Sequence, residues 1–406
     1  MIELSGADLV LPDRIMSPGT LVIDAGTIVS IRPSTTGTLQ HHYIVPGFID
    51  VHVHGVGGID VLDGAGSVAA IARRLPRYGV TSFCPTTTAC DPLALRAVVA
   101  EIRERRHAAD DGGARVLPAH LESNFINPEY RGAQAAHCLR SLHGAWGSPE
   151  RASPDRGPET RPAAASLTFA ASDILREIDS AGSDVAIVTL APEIDGGLDL
   201  IEWLIARGHR AALGHSGATF DQALAAIAAG ARHATHLFNR MPPFEHRSPG
   251  LVGAVLQAES VAAELICDGF HLHPAVVRTV IAVKRPSRVL AITDGTAASG
   301  LPSGARARLG GQPIHAWDSA AFLHDGTVAG SVATMDGVFR FLVGRAGVPL
   351  VDAATVCSTT AARELGLGRC GILAEGAMAD LVVLDAQLSV VQTYVGGELV
   401  YSKFKG

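Results

Sequence analysis

Seven residues able to bind a metal or carry a proton stand at or just beyond the ends of short apolar runs: His52, His54, Glu122, His215, His236, His271 and Asp294. One histidine at one strand end is more often structural than a ligand, so it is the coincidence of several that points to a site. His52 and His54 carry the most local information, because residues two apart on a strand point to the same side and both imidazoles can reach one ion. H-x-H alone is a weak motif, but its surroundings are PGFIDVHVHG, with Gly47 and Gly55 bracketing a strand whose end must let the backbone approach an ion closely. Neutral imidazoles combined with carboxylates suit zinc, iron, manganese or cobalt. Such an ion, held with an open position, brings the pKa of a water close to neutrality. Asp294, in ITDG, supplies a carboxylate to take the attacking water's proton and return it to a leaving nitrogen, the division of labour in metal-assisted amide hydrolysis.

The elements that must position these residues follow from the hydrophobic pattern. Between about residues 44 and 350, short Val/Ile/Leu-rich runs alternate with longer alanine-rich segments of helical period, as repeated βα units do. Eight strands are expected, at Ile44–Val53, Val80–Pro85, Val116–Glu122, Val185–Pro192, Arg210–His215, His233–Leu237, Val261–Cys267 and Val289–Thr293. Eight such units suggest an α/β TIM (β/α)8 barrel, whose chemistry sits at the C-terminal ends of its strands, where the seven residues fall. A doubly wound open sheet would carry a Gly-rich phosphate turn after its first strand, and none is present. Residues 1–45 and 366–406 read instead as short β runs with turns. They are expected to join in one small β-sandwich module beside a barrel of residues 46–365. The Ser/Pro/Arg/Gly/Glu-rich stretch 142–165 buries little apolar surface and reads as a surface excursion.

Composition narrows the function. A chain of 406 residues, 47% hydrophobic, can bury a large core, while a formal charge of −7 without a basic face interleaved with aromatics argues against nucleic acid and for a small substrate. The opening MIELSGADLVLPDRIMSPG lacks the basic start and apolar core of a signal peptide, and no stretch reaches the roughly eighteen apolar residues of a membrane span. A cytoplasmic protein is expected. Cys84, Cys90, Cys138, Cys267, Cys357 and Cys370 form no C-x-x-C pair, which favours buried thiols over a disulfide framework or a zinc knot.

With these residues in place, the chain resembles the amidohydrolase superfamily and, within it, the N-acetylglucosamine-6-phosphate deacetylases. The resemblance runs through PGFIDVHVHG, GVTSFCPTTT, HLESNFINPEYRGAQ, VTLAPE, LGHSGAT, THLFNRMPPFEHRSPG, ICDGFH, ITDG and VAGS, and through the tail ADLVVLD. It implies metal-dependent hydrolysis of the acetamide of N-acetyl-D-glucosamine 6-phosphate. Glu122, His215 and His236 would hold the principal ion, zinc before iron, manganese or cobalt, with His52 and His54 at a second position and Asp294 as acid/base. Substrate contacts carry over onto Ala133, Gln134, Asn239, Arg240, Arg247, Asp268, His271, Val328, Ala329 and Gly330. The resemblance also implies a homodimer in which Arg247 reaches the substrate phosphate of the partner subunit, a task suited to a guanidinium fork.

The chain departs from the family pattern at three places. H-L-E-G-P reads His120-Leu121-Glu122-Ser123-Asn124, and N-A-M reads Asn239-Arg240-Met241, placing a long cation where a small residue is usual. The excursion after Gln134 is also longer, leaving a loop of a length to cap the site. Cyclic amidases with a carboxylated lysine near the fourth strand fit poorly, because the chain's only lysines are Lys284, Lys403 and Lys405. A deacetylase of another N-acetyl amino sugar, galactosamine or unphosphorylated, stays open at this point, as does another amidohydrolase. A non-catalytic scaffold would show eroded ligands, which these are not.

Overall fold

The computed structural model describes residues 1–35, 37–108, 112–142, 169–318 and 320–404. Eight parallel strands run in chain order around a barrel: Phe48–Val53, Val80–Thr87, Ala119–Glu122, Val185–Leu190, Arg210–Leu213, His233–Ala234, Ala262–Ile266 and Val289–Ile292. Runs such as VAIVTL and VLAI are buried almost throughout, as expected of strands covered on both faces. The ring closes between the eighth strand and the first, where Asp294 N donates to His52 O at 3.0 Å and His54 N donates to Gly295 O at 2.7 Å. Closure in chain order places every strand's C-terminal end on one rim. The intervening helices carry local stop and start signals. Pro92–His107, for example, starts at Asp91, whose carboxylate accepts from Leu93 N and Ala94 N, with proline at the first helical position.

Two expected strands are corrected. Ile44–Val53 is divided at Gly47: Tyr43–Pro46 pairs with Leu381–Leu384, and only Phe48–Val53 belongs to the barrel. A Cβ at Gly47 would lie 2.2 Å from Thr81 Oγ1, so this glycine admits the neighbouring strand rather than an ion. At Gly55 the crowding likewise comes from backbone, with Ile59 O at 2.2 Å. The sixth strand stops at Ala234 because the chain turns through His236 at φ +28°, where His233–Leu237 had been expected to run straight.

The two ends of the chain do meet, in one seven-stranded sheet ordered Glu398–Ser402, Val390–Val395, Leu381–Leu384, Tyr43–Pro46, Ile2–Val10, Ile15–Asp24 and Thr27–Pro33. Its core is Leu4, Leu9, Leu21, Ile28, Ile44, Leu381 and Val383, and Arg115 Nη1 ties it to the barrel through Asp380 Oδ2 at 2.7 Å. A further antiparallel sheet of four strands, Arg306–Leu309, Gln312–Trp317, Ala320–Phe322 and Val328–Ser331, follows the eighth barrel strand and was not anticipated. Its last strand is pinned to the rim by Ser331 N donating to Asp294 O at 2.8 Å. All six cysteines are buried and unpaired. Among the described residues no helix is long and apolar enough to cross a membrane. Of the excursion 142–165 only Leu142 lies within the described residues.

Candidate metal centre and active site

The rim brings the strand-end residues into two buried triads. In one, Glu122 Oε1 lies 2.7 Å from His215 Nε2 and 2.9 Å from His236 Nε2, with the two nitrogens 3.1 Å apart. In the other, Asp294 Oδ1 lies 3.4 Å from His52 Nε2 and 3.2 Å from His54 Nε2, with the nitrogens 3.2 Å apart. The triads adjoin through Glu122 Oε2, 3.5 Å from His54 Nε2. Ligand atoms bound tetrahedrally at 2.0–2.1 Å stand roughly 3.3 Å from one another, close to the spacings found.

The tautomers strengthen that fit. His215 Nδ1 donates to Tyr130 O at 2.8 Å and His54 Nδ1 donates to Thr86 O at 3.1 Å. Carbonyls only accept, so Nδ1 carries the proton in each ring, and in the neutral ring Nε2 offers a lone pair to the triad. A lone pair facing carboxylate Glu122 at hydrogen-bond distance is repulsive unless a cation lies between them. The donors present therefore fit a divalent transition-metal ion. A third grouping of His52, His120 and Glu264 has its donors spent elsewhere: His120 Nδ1 donates to Val51 O, and Thr189 Oγ1 lies 2.8 Å from its Nε2.

Glu264 was missed in the sequence. It lies in the fully buried strand Ala262–Ile266 and holds three site elements: His52 Nδ1 at 2.9 Å, His233 Nε2 at 2.8 Å, and the His236 backbone N–H at 3.2 Å. The available signal was a lone carboxylate inside the apolar run AAELI, since a buried acid is rare unless paired. His120 and His233 back the triads: His120 Nδ1 donates to the Val51 carbonyl beside His52, and His233 Nε2 donates to Glu264 Oε1. Glu193 accepts from Ser216 Oγ at 2.7 Å and Gly217 N at 2.6 Å. It fixes the loop that follows His215.

Electrostatics match a cation-seeking cavity. Burial alone would hold His52 down, but Glu264, Asp294 and Glu122 push it up to about 10. Burial, reinforced by His52, pushes His120 down to about 3. Burial raises Glu122, yet His215, His236 and His52 outweigh it and hold the carboxyl well below its usual range. Asp294 is likewise lowered, its burial outweighed by His52 and His54. The backbone is strained at the same places: His215, His236 and Asp294 have φ of +48°, +28° and +48°, values that L-residues rarely adopt outside functional sites.

A cavity of about 570 Å³ opens over the triads. Of the expected substrate contacts, Ala133, Gln134, Asn239, Arg240, His271, Val328 and Gly330 line it. Gln134 donates to Glu122 Oε2. Three expected contacts stand apart. Ala329 is packed in the core of the four-stranded sheet, because its side chain alternates away from those of Val328 and Gly330. Asp268 acts behind His271, its Oδ2 accepting a hydrogen bond from His271 Nδ1 at 2.6 Å. Arg247 is exposed and does not line the cavity within its own chain. The departure at Ser123-Asn124 is held by side chains: Ser123 Oγ donates to Thr189 O at 2.5 Å, and Asn124 Nδ2 donates to Cys90 O and Cys138 O, each at 2.7 Å.

Residues 43–400 match the amidohydrolase family. The chain is 34% identical over 403 residues to N-acetylglucosamine-6-phosphate deacetylase of Danio rerio, covering 96% of this chain and 91% of that protein. It is 33% identical over 383 residues to N-acetylgalactosamine-6-phosphate deacetylase of Escherichia coli O157:H7, covering 93% and 94%. Among solved structures, a variant of N-acetyl-D-glucosamine-6-phosphate deacetylase from Mycobacterium smegmatis, in complex with N-acetyl-D-glucosamine-6-phosphate, superposes with a TM-score of 0.84. Its sequence identity is 32%, over 99% of each chain.

Proposed function

This chain belongs to the amidohydrolase family, and from that premise we propose that it hydrolyses the acetamide of N-acetyl-D-glucosamine 6-phosphate to acetate and glucosamine 6-phosphate. The observation that carries the reading is the convergence of Glu122, His215 and His236 beside Asp294 at the floor of one cavity. Those three residues would hold a divalent ion, zinc before iron, manganese or cobalt, and His52 and His54 would hold a second. An ion there supplies Lewis acidity and brings water closer to ionisation at neutral pH.

The chain's own groups do the rest. Asp294, held as a carboxylate by His52 and His54, accepts a proton from the attacking water and passes it to the amide nitrogen, which would otherwise leave as a poor anion. Glu264 and the Tyr130 and Thr86 carbonyls fix the imidazoles that face it. Gln134, Asn239, Arg240 and His271 line the cavity and orient the sugar. Arg247, exposed in its own chain, suits a contact to the phosphate across a homodimer interface.

The test is a panel of N-acetylglucosamine and N-acetylgalactosamine, each with and without 6-phosphate, run beside elemental analysis. N-acetyl-D-glucosamine 6-phosphate is expected to give the highest kcat/KM, and His215→Ala is expected to lose both metal and activity. Equal rates on phosphorylated and plain sugars, or full metal occupancy in His215→Ala, would defeat the reading.

A further inference from the structure

Two guanidinium groups lie against one glycine at the edge of the cavity. Gly132 has φ +58°, and a Cβ there would stand 2.5 Å from Arg240 Nε. Arg131 Nη1 lies 3.5 Å from the Gly132 carbonyl and donates to Gln134 O at 3.1 Å. Arg240 Nη2 donates to Val328 O at 3.0 Å. Neither arginine makes an ion pair with a carboxylate among the described residues, and Nη1 and Nε of Arg240 donate to no protein group there. The acids that act on them are Glu122 at the triads and exposed Asp325. Burial lowers the pKa of Arg240, Glu122 offsets this, and Arg131 adds to it by like-charge repulsion. A half-buried cation beside a second cation, on a backbone strained to φ +54°, is an unfavourable arrangement unless an anion completes it.

The cavity's geometry places that anion. Gly330 packs on the Asp294 backbone, with its Cβ position 2.9 Å from Asp294 O. Val328 lies two residues earlier on the same face of the same strand, roughly 6.6 Å away along the chain. That is of the order of the separation between an amide nitrogen on C2 and a phosphate carried through C6 on the opposite side of a pyranose ring. In a 2-acetamido hexose 6-phosphate the amide hangs from C2 and the phosphate, through C6, from C5, the ring atom opposite. A ring that presents its acetamide to Asp294 therefore carries its phosphate towards the Val328 carbonyl and the guanidinium bonded to it.

We propose that Arg240, backed by Arg131, receives the substrate's phosphate within its own subunit, so that preference for a phosphorylated sugar is set inside each chain as well as across an interface. The inference rests on the function proposed above. Arg240 presents a fork of donors suited to two phosphate oxygens, and Arg131 keeps the surroundings positive.

Steady-state kinetics of the metal-loaded enzyme on N-acetyl-D-glucosamine with and without 6-phosphate would test this in the wild type, Arg240→Ala and Arg240→Lys. Losing a hydrogen-bonded charge pair should cut the ratio of kcat/KM for the phosphorylated over the plain sugar about 10–100-fold in Arg240→Ala. Most of the change should appear in KM, with partial recovery in Arg240→Lys. Inorganic phosphate should inhibit the wild type competitively and Arg240→Ala more weakly. An unchanged ratio, or a rise in activity on either sugar when Arg240 is truncated, would overturn the proposal, since the side chain would then merely fill the cavity. If the wild type fails to turn over the phosphorylated sugar, the proposed function falls instead. Calorimetry with inorganic phosphate, which must bind the wild type more tightly than Arg240→Ala, then decides the anion site alone.

Discussion

The barrel mouth and the terminal seven-stranded sheet are built by opposite rules. In the sheet, the core is Leu4, Leu21, Ile28, Ile44, Leu381 and Val383, and buried polar side chains such as Thr20 and Thr393 are few and uncharged apart from Asp380, which pairs with Arg115. At the mouth, His52, His54, His120, Glu122, His215, His233, His236, Glu264 and Asp294 are all buried, each in contact with at least one other of the group. Three of them sit on left-handed backbone. Local rules are obeyed in the sheet and broken at the mouth, and such breaks persist only where the surrounding structure over-determines them. The difference marks the mouth as the candidate site and the sheet as a region held together by apolar packing.

The largest effect expected from this contrast belongs to Asp294→Asn, which keeps size but cannot carry the proton. Its kcat should fall by roughly 10²–10⁴ with metal content nearly unchanged. If metal and activity were lost together, Asp294 would be a ligand first and the proton-carrier role would go. Next comes Ile44→Ala in the terminal sheet, at a fully buried site. Denaturant titration should show about 2–5 kcal/mol of lost stability, while kcat per folded molecule and metal content stay at wild-type values. A drop in kcat there would erase the division between the two regions. The smallest effect is expected of Glu264→Gln, which keeps the shape behind His52 and His233 but removes the charge. Metal affinity should fall about 10–100-fold, measured by competition with a chelator, as for other residues that orient metal-binding histidines. Undiminished affinity would reduce Glu264 to a packing group.

Much of the fold was legible because its signals are local. Alternating apolar runs and helical segments counted out eight strands, and the β-like character of both ends placed them together. The errors came where local patterning is silent. Nothing in the apolar continuity of Ile44–Val53 reveals that Gly47 passes the chain from one sheet to another, because the requirement is the close approach of Thr81. The hairpins after the eighth strand do carry turn signals, with Gly310 and Gly311 both at positive φ, but their strands are too short, at three to six residues, to stand out among the βα units.

At the site, the sequence by itself determined the types of the candidate ligands and their positions on the rim, since strand-end spacing and side-chain alternation are properties of neighbouring residues. Only the tertiary structure decided how those residues are held. His52 meets Glu264 across 212 residues of chain, and His215 and His54 receive their tautomers from carbonyls of Tyr130 and Thr86 on other elements. It also set Arg240 and Arg131 against the same glycine, withdrew Ala329 into a core, and left Arg247 exposed. The physical reason is common to all of these: barrel closure brings together groups from distant strands, and hydrogen bonds and charges act through that space, with no periodicity along the chain to announce them.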